Sequence, residues 1–337
     1  MRKKLPANLV TALATQAQAR RAYLALLVAT AIWGVATPII KLTLNHTPVY
    51  TFLFYRFLIV CILILPYLFF ELKKNPIHKS DYKNIILLGI TGQAAILIVF
   101  WAIKYTSPID VALIGAIGPL VTLTAGNIIY KEKLNKYVKY GVLIAVLGTL
   151  VIILEPILSS VKNHSPIYLK VFGNILMVFY TMSFSAYIIL SKHMFGRRPV
   201  GENKLFERFG IRPMGKKYPE VLIVALTFFV ALAVVIPLFV WENTAGGKSI
   251  ALTEAFLPSS LIGIVYMAIF SSIVAYMCFE WGVSRAAVID TAIFGYLDPL
   301  FNIPASFIIL GIVPTVPALF GSAIIALGVV IAEKNKG

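Results

Sequence analysis

The chain has 337 residues, 59% of them apolar and 13% charged, with a mean hydropathy of +0.88. Its 30 basic and 14 acidic side chains cannot clothe a water-soluble chain of this size, so lipid must cover much of it. That excludes a soluble enzyme, a secreted disulfide scaffold and a disordered segment.

Residues 1–20 contain no acid and space Leu5, Leu9 and Leu13 one helical turn apart. They form a basic tail, either an amphipathic helix on the inner leaflet or an untethered segment. Ten apolar runs follow, at approximately 21–42, 49–70, 84–104, 108–130, 138–155, 167–191, 220–241, 258–281, 288–310 and 315–332. Each is near the roughly 20 residues that a bilayer core demands. Lipid offers no partner to a bare peptide group, so every span is expected to be helical. The fold class read from this pattern is an all-α integral membrane protein with ten transmembrane helices. The one long connector, 193–219, is rich in Arg, Lys, Gly and Pro and reads as a basic cytoplasmic insertion.

The net charge of +16 sits in short clusters between apolar runs and not along one face, so it predicts topology and no nucleic-acid partner. With ten spans, 24 of the Lys and Arg residues fall on the side of the N-terminus, five fall on the other side, and Arg56 lies inside a span. By the positive-inside rule both termini are cytoplasmic, in the cell membrane. Cys61 and Cys278 lie in apolar runs and supply neither a disulfide framework nor a four-ligand zinc site. No metal or cofactor is expected.

Sliding the chain against itself by 180 residues places Trp101, Asp110, Gly115, Pro119, Gly141 and Gly148 on Trp281, Asp290, Gly295, Pro299, Gly321 and Gly328, without a gap. Matched Trp, Asp, Pro and Gly do not follow from apolar composition, so the chain contains two repeats, 21–155 and 167–332, of five helices each. Five is odd, so the second copy enters the membrane from the opposite side. Inverted repeats of this kind are the signature of alternating-access carriers, with a substrate site near the midplane where the halves meet.

Several segments carry a family resemblance: ATAIWGVATPIIK (29–41), FYRFLIV (54–60), GPLVTLTAGNIIYKEKL (118–134), GVLIAVLGTLVII (141–153), YLDPLFNIPASFIILG (296–311) and GSAIIALGVVIA (321–332). Together they resemble the two EamA-type repeats of the drug/metabolite transporter superfamily. The resemblance implies a ten-helix secondary carrier, often an exporter of amino acids or related metabolites. The turn Glu132-Lys133-Leu134 after the fourth helix is replaced in the second copy by Ile312-Val313-Pro314.

A carboxylate deep in a span is costly unless it faces a cavity, which makes Asp298 the first candidate for substrate contact. Arg56, in span two, either binds a substrate carboxylate or pairs with Asp298, and the sequence does not separate the two. Trp33, Tyr55, Gln93, Tyr296 and Asn302 complete the candidate cavity set. Pro119 and Pro299 remove backbone hydrogen bonds at equivalent depths and are expected to kink their helices. Trp101 and Trp281 read as interfacial anchors and Asp110 and Asp290 as helix caps. Glu280 reads as a carboxylate among lipid headgroups and Lys41 as a snorkelling cation.

All four histidines, His46, His78, His164 and His193, lie in loops, so no Ser-His dyad forms at membrane depth. A single deep Asp does not make an aspartyl protease. The expected function is export of a small polar metabolite, with lipid as the surrounding partner. Export of an organic cation, or a channel or scramblase, is the alternative. Substrate identity, coupling ion and oligomeric state are open at this level.

Overall fold

The structure is a computed structural model and describes residues 7–122, 124, 136–158, 166–195, 206, 208–244, 257–285 and 294–333. The Glu132-Lys133-Leu134 turn, Asp290 and residues 196–205 of the long connector lie outside the described residues. Every regular element among the described residues is helical.

Among the described residues, seven helices are long and apolar enough to cross a membrane: a first over Arg20–Thr43, then Val49–Lys74, Lys79–Tyr105, Lys136–Ile153, Ile167–Ser191, Glu220–Thr244 and Ser260–Val283. Three shorter apolar helices, Pro108–Thr122, Asp298–Leu310 and Val316–Ala332, fall on the expected fourth, ninth and tenth spans. In chain order the elements are α1 (Ala7–Thr43), α2 (Val49–Lys74), α3 (Lys79–Tyr105), α4 (Pro108–Thr122), α5 (Lys136–Ile153), α6 (Ile167–Met194), α7 (Glu220–Thr244), α8 (Ser260–Val283), α9 (Asp298–Leu310) and α10 (Val316–Glu333). Exposed apolar side chains such as Ile62, Leu63 and Leu65 on α2 and Leu143, Leu147 and Leu150 on α5 give these helices a lipid-compatible outer surface.

Small residues decide which helices touch. A Cβ on Gly328 would lie 2.6 Å from the carbonyl oxygen of Gly141, so α5 and α10 meet backbone to backbone. A Cβ on Gly34 would meet Phe301 Cβ at 2.7 Å, which brings α1 against α9. Aromatic rings join α2 to α7, with Phe54 stacked on Phe239 at 4.0 Å.

At the end of the bundle where α1 finishes, a polar cluster ties five helices together. Lys41 does not snorkel: its Nζ donates to the carbonyls of Ile103 (2.8 Å), Lys104 (2.9 Å) and Thr106 (2.9 Å), because α3 ends there with carbonyls lacking helical donors. Ser107, and not Asp110, caps α4 by accepting from the Asp110 amide. Buried Asp110 accepts from Thr106, whose hydroxyl also contacts Asn174 of α6. Buried Glu155 pairs with Lys170 at 3.5 Å and accepts from Thr315 at 2.8 Å.

The described part of the connector packs on the start of α3. Buried Asp81 accepts from the Tyr218 hydroxyl (2.7 Å) and the Gly215 amide (3.1 Å), and Asn84 Nδ2 donates to the Arg212 carbonyl (2.8 Å). Burial pushes the Tyr218 hydroxyl above its ordinary pKa. His193 sits against Phe206, ring centroids 4.3 Å apart, and burial holds its imidazole below the ordinary histidine range.

Candidate substrate cavity

Two adjoining cavities, of about 200 and 170 Å³, share a wall made by Trp33, Gly115, Tyr180, Phe184, Gly295 and Asp298. The first reaches Ile40, Ile103 and Arg56, and the second reaches Thr30, Thr122 and Ile188. Together they run along α1 from near its last turns back towards the middle of the helix.

Asp298 enters this space because the chain breaks just ahead of it. Leu297 N bonds Phe294 O (3.1 Å) in a tight four-residue turn, and α9 starts at Asp298 with Pro299 in its first turn. The sequence predicted a continuous span over 288–310. Residues 286–293 lie outside the described residues, and within 294–310 the turn at Tyr296–Leu297 interrupts the helix. Proline at a first helical turn costs no hydrogen bond, so the break is a natural place for it. A carboxylate there also meets the positive end of the new helix. The residues 180 positions earlier do the same: Ile117 N bonds Ile114 O (3.2 Å) ahead of Pro119. The two breaks touch, since a Cβ on Gly295 would lie 2.9 Å from Pro119 Cγ.

Arg56 is 2% exposed. Its Nε donates to Ser272 Oγ (2.9 Å), and its guanidinium lies over Phe57 (5.3 Å) and Phe100 (5.7 Å). Among the described residues no ion pair joins it to Asp298, although both line the first cavity. In this structure the two side chains are not paired and line the first cavity at separate positions. Burying a guanidinium without a carboxylate partner is expensive.

Trp33 forms the wall between them. Its Nε1 donates to Ser271 O (3.1 Å), and its ring meets Tyr276 and Phe279 edge-on or tilted, at 5.1 Å each. Tyr55, Asn302, Tyr296 and Gln93 lie off both cavities. Tyr55 packs on Phe54 and Phe239 (5.4 and 6.1 Å). Asn302 clasps α9 to α1, its Nδ2 donating to Gly34 O (3.2 Å) while its Oδ1 accepts from Ser306 (3.1 Å). Tyr296 lies in the break itself, outside both linings. Gln93 is fully buried in α3, with its side chain beside Tyr276 of α8. Pro119 lines the second cavity.

Tyr180, Phe184, Ser272 and Tyr276 belong to the site and were not singled out by sequence. Their polar or aromatic character is common on packed helices, and only the convergence of α6 and α8 on the cavities beside Trp33 selects them. Glu280 is also misjudged by sequence. It is 3% exposed and accepts from Tyr187 at 2.8 Å, because α6 covers it from headgroups.

The model of the EamA-like transporter family matches residues 20–154 and 208–333. The transporter YyaM of Bacillus subtilis, named as uncharacterized, is 27% identical over 266 residues, 78% of this chain and 76% of its own length. A WAT1-related protein of Arabidopsis thaliana is 25% identical, covering 89% of this chain and 85% of its own. A solved structure titled "Crystal structure of protein" superposes with a TM-score of 0.57 at 16% identity, over 93% of this chain and 96% of that one, and shares the fold.

Proposed function

The chain belongs to the EamA-like transporter family, and from that membership we propose that it carries a small zwitterion, an amino acid or similar metabolite, out across the cell membrane by alternating access. Members of the family are transporters, so the chain is a multi-pass membrane protein that moves a small molecule, and not an enzyme. The observation that carries the zwitterion reading is the separation of Arg56 from Asp298 on one cavity. An α-carboxylate satisfies the guanidinium fork, an ammonium faces the carboxylate, and the aromatic wall at Trp33 and Tyr180 accepts the remaining side chain.

The 24 to 5 distribution of basic residues supports cytoplasmic termini. Inverted repeats at 21–155 and 167–332 are supported by the equivalent breaks before Pro119 and Pro299. They are supported again by the contacts of Gly141 with Gly328 and Gly148 with Gly321, which interchange when the two repeats are exchanged. A second reading, export of an organic cation, is favoured by the aromatic rings that surround Asp298 in the second cavity.

Counterflow in proteoliposomes tests these readings. Vesicles loaded separately with unlabelled amino acids, nucleosides or quaternary amines are given the matching tracer. Saturable exchange restricted to amino acids is the expected result. Exchange of quaternary amines alone would select the second reading, and unsaturable voltage-driven flux would replace a carrier with a channel.

A further inference from the structure

Both α3 and α8 contain a π-helical turn, at Gly89–Ala94 and Met267–Val274. Such turns are rare and concentrate at functional sites. Shifting the first by the 180-residue period of the sequence places it inside the second. The correspondence extends to single bonds. In α3 the amide of Ala95 bonds Ile90 O (3.0 Å), and in α8 the amide of Ala275 bonds Phe270 O, the equivalent atoms. An uninterrupted α-helix would give those two amides to Thr91 O and Ser271 O.

The two carbonyls that lose their α-helical donors are each taken up by a side chain from elsewhere. Ser183 Oγ of α6 donates to Thr91 O (3.0 Å), and Trp33 Nε1 of α1 donates to Ser271 O (3.1 Å). Trp33 lies ten residues before the end of α1, and Ser183 eleven before the end of α6. Each donor therefore comes from the first helix of the opposite repeat. Straightening either turn would return the amide of Ala95 or Ala275 to its α-helical acceptor and displace the side chain. Each carbonyl is thus served by a side chain in the π register and by a backbone amide in the α register, two discrete arrangements of the same turn.

The α8 turn also holds the substrate side of the cavity. Ser272 Oγ donates to Met267 O across the turn (2.9 Å) while accepting from Arg56 Nε, so the register of the turn sets the position of the guanidinium.

We propose that the π-turns of α3 and α8 are the paired hinges of this carrier, and that Ser183 and Trp33 are the positioning residues that hold them in the π register. The proposal rests on the carrier reading above. Exchange of the two repeats exchanges the two membrane faces, so loss of one donor biases the cavity towards one face and loss of the other biases it towards the opposite face.

The test needs no substrate. In the full-length protein with Cys61→Ala and Cys278→Ala, a single cysteine replaces Thr37, which lines the first cavity, or Thr122, which lines the second. A membrane-impermeant maleimide is applied to intact cells and to inverted vesicles, and the ratio of the two labelling rates is measured. Ser183→Ala is expected to shift that ratio about fivefold, the equivalent of one net hydrogen bond. Trp33→Phe is expected to shift it in the opposite direction, and Ser183→Thr to return it to the starting value. Ratios within twofold of the parent in Ser183→Ala, or shifts of the same sign in both variants, would overturn the proposal. If Trp33→Phe does not fold, the Ser183→Ala shift and its reversal by Ser183→Thr still decide it. A shifted ratio without amino-acid counterflow would leave the hinges standing and remove the substrate reading. Counterflow without a shift would do the reverse.

Discussion

Gly148 of α5 faces Gly321 of α10 so closely that a Cβ on Gly148 would lie 2.7 Å from the carbonyl oxygen of Gly321 and 2.8 Å from the amide of Ile325. Backbone atoms cannot swing aside as a flexible side chain does. Gly148→Ala is therefore expected to cost about 1–3 kcal/mol and to lower the unfolding midpoint in detergent by several degrees. Gly118→Ala, whose new methyl would stand 3.5 Å from Thr181 Cγ2, is expected to leave the midpoint unchanged.

Arg56→Met should weaken binding of carboxylate-bearing substrates by about 10- to 100-fold, the range of a hydrogen bond to a charged group. Arg56→Lys should recover only part of this, since an ammonium lacks the planar fork and cannot both hold Ser272 and grip a carboxylate. Half-maximal inhibition of counterflow by an amino acid and by its amide separates the two effects. The amide is expected to be insensitive to the substitution.

Asp298→Asn is expected to abolish any dependence of transport on an imposed pH gradient, while Asp298→Glu preserves it. The asparagine keeps the size and the break geometry but cannot exchange a proton. Transport by Asp298→Asn with full gradient dependence would show that Asp298 does not couple.

Asp81→Ala leaves the Gly215 amide and the buried Tyr218 hydroxyl without their acceptor. An unsatisfied buried donor costs about 1–3 kcal/mol, so the segment over 208–218 should detach from α3. Amide exchange at Gly215 should accelerate at least tenfold. Tyr218→Phe, which removes one of these bonds, should accelerate it less.

His193 is buried against Phe206, and its folded-state pKa is depressed. The undocked form then takes up a proton first. The contribution of docking is fully present above the ordinary histidine pKa of about 6.5 and is lost as pH falls from there towards the folded value. Protection of the Met214 amide, which bonds Met194 O at 2.8 Å, should drop between pH 7.5 and 5.5 after correction for intrinsic exchange. His193→Phe should remove that pH dependence.

Membrane residence, helicity and family membership were legible from apolar runs and repeated motifs. So was the place of the two prolines, because a missing amide has the same local effect in any helix. What the prolines would do was only half legible: a kink was expected, and the chain breaks and restarts. The restart turns Asp298 from a mid-span carboxylate into the first residue of α9. Glu280 and Lys41 were misread for one reason. Periodicity places a residue near a span end, but whether it meets headgroups or a neighbouring helix depends on packing.

From the sequence alone come the long apolar spans, the 180-residue pattern of matched residues, and Arg56 and Asp298 as charges too deep to be incidental. These follow from composition and spacing, because lipid penalises charge and unpaired peptide groups whatever the tertiary arrangement. Only the tertiary structure decided that the two side chains stand apart on one cavity, that Asn302 and Tyr55 lie away from it, and that Trp33 and Ser183 each complete a π-turn in a distant helix. Those outcomes depend on distances between residues more than 90 positions apart along the chain, set by which helices cross and how closely their glycines let them approach.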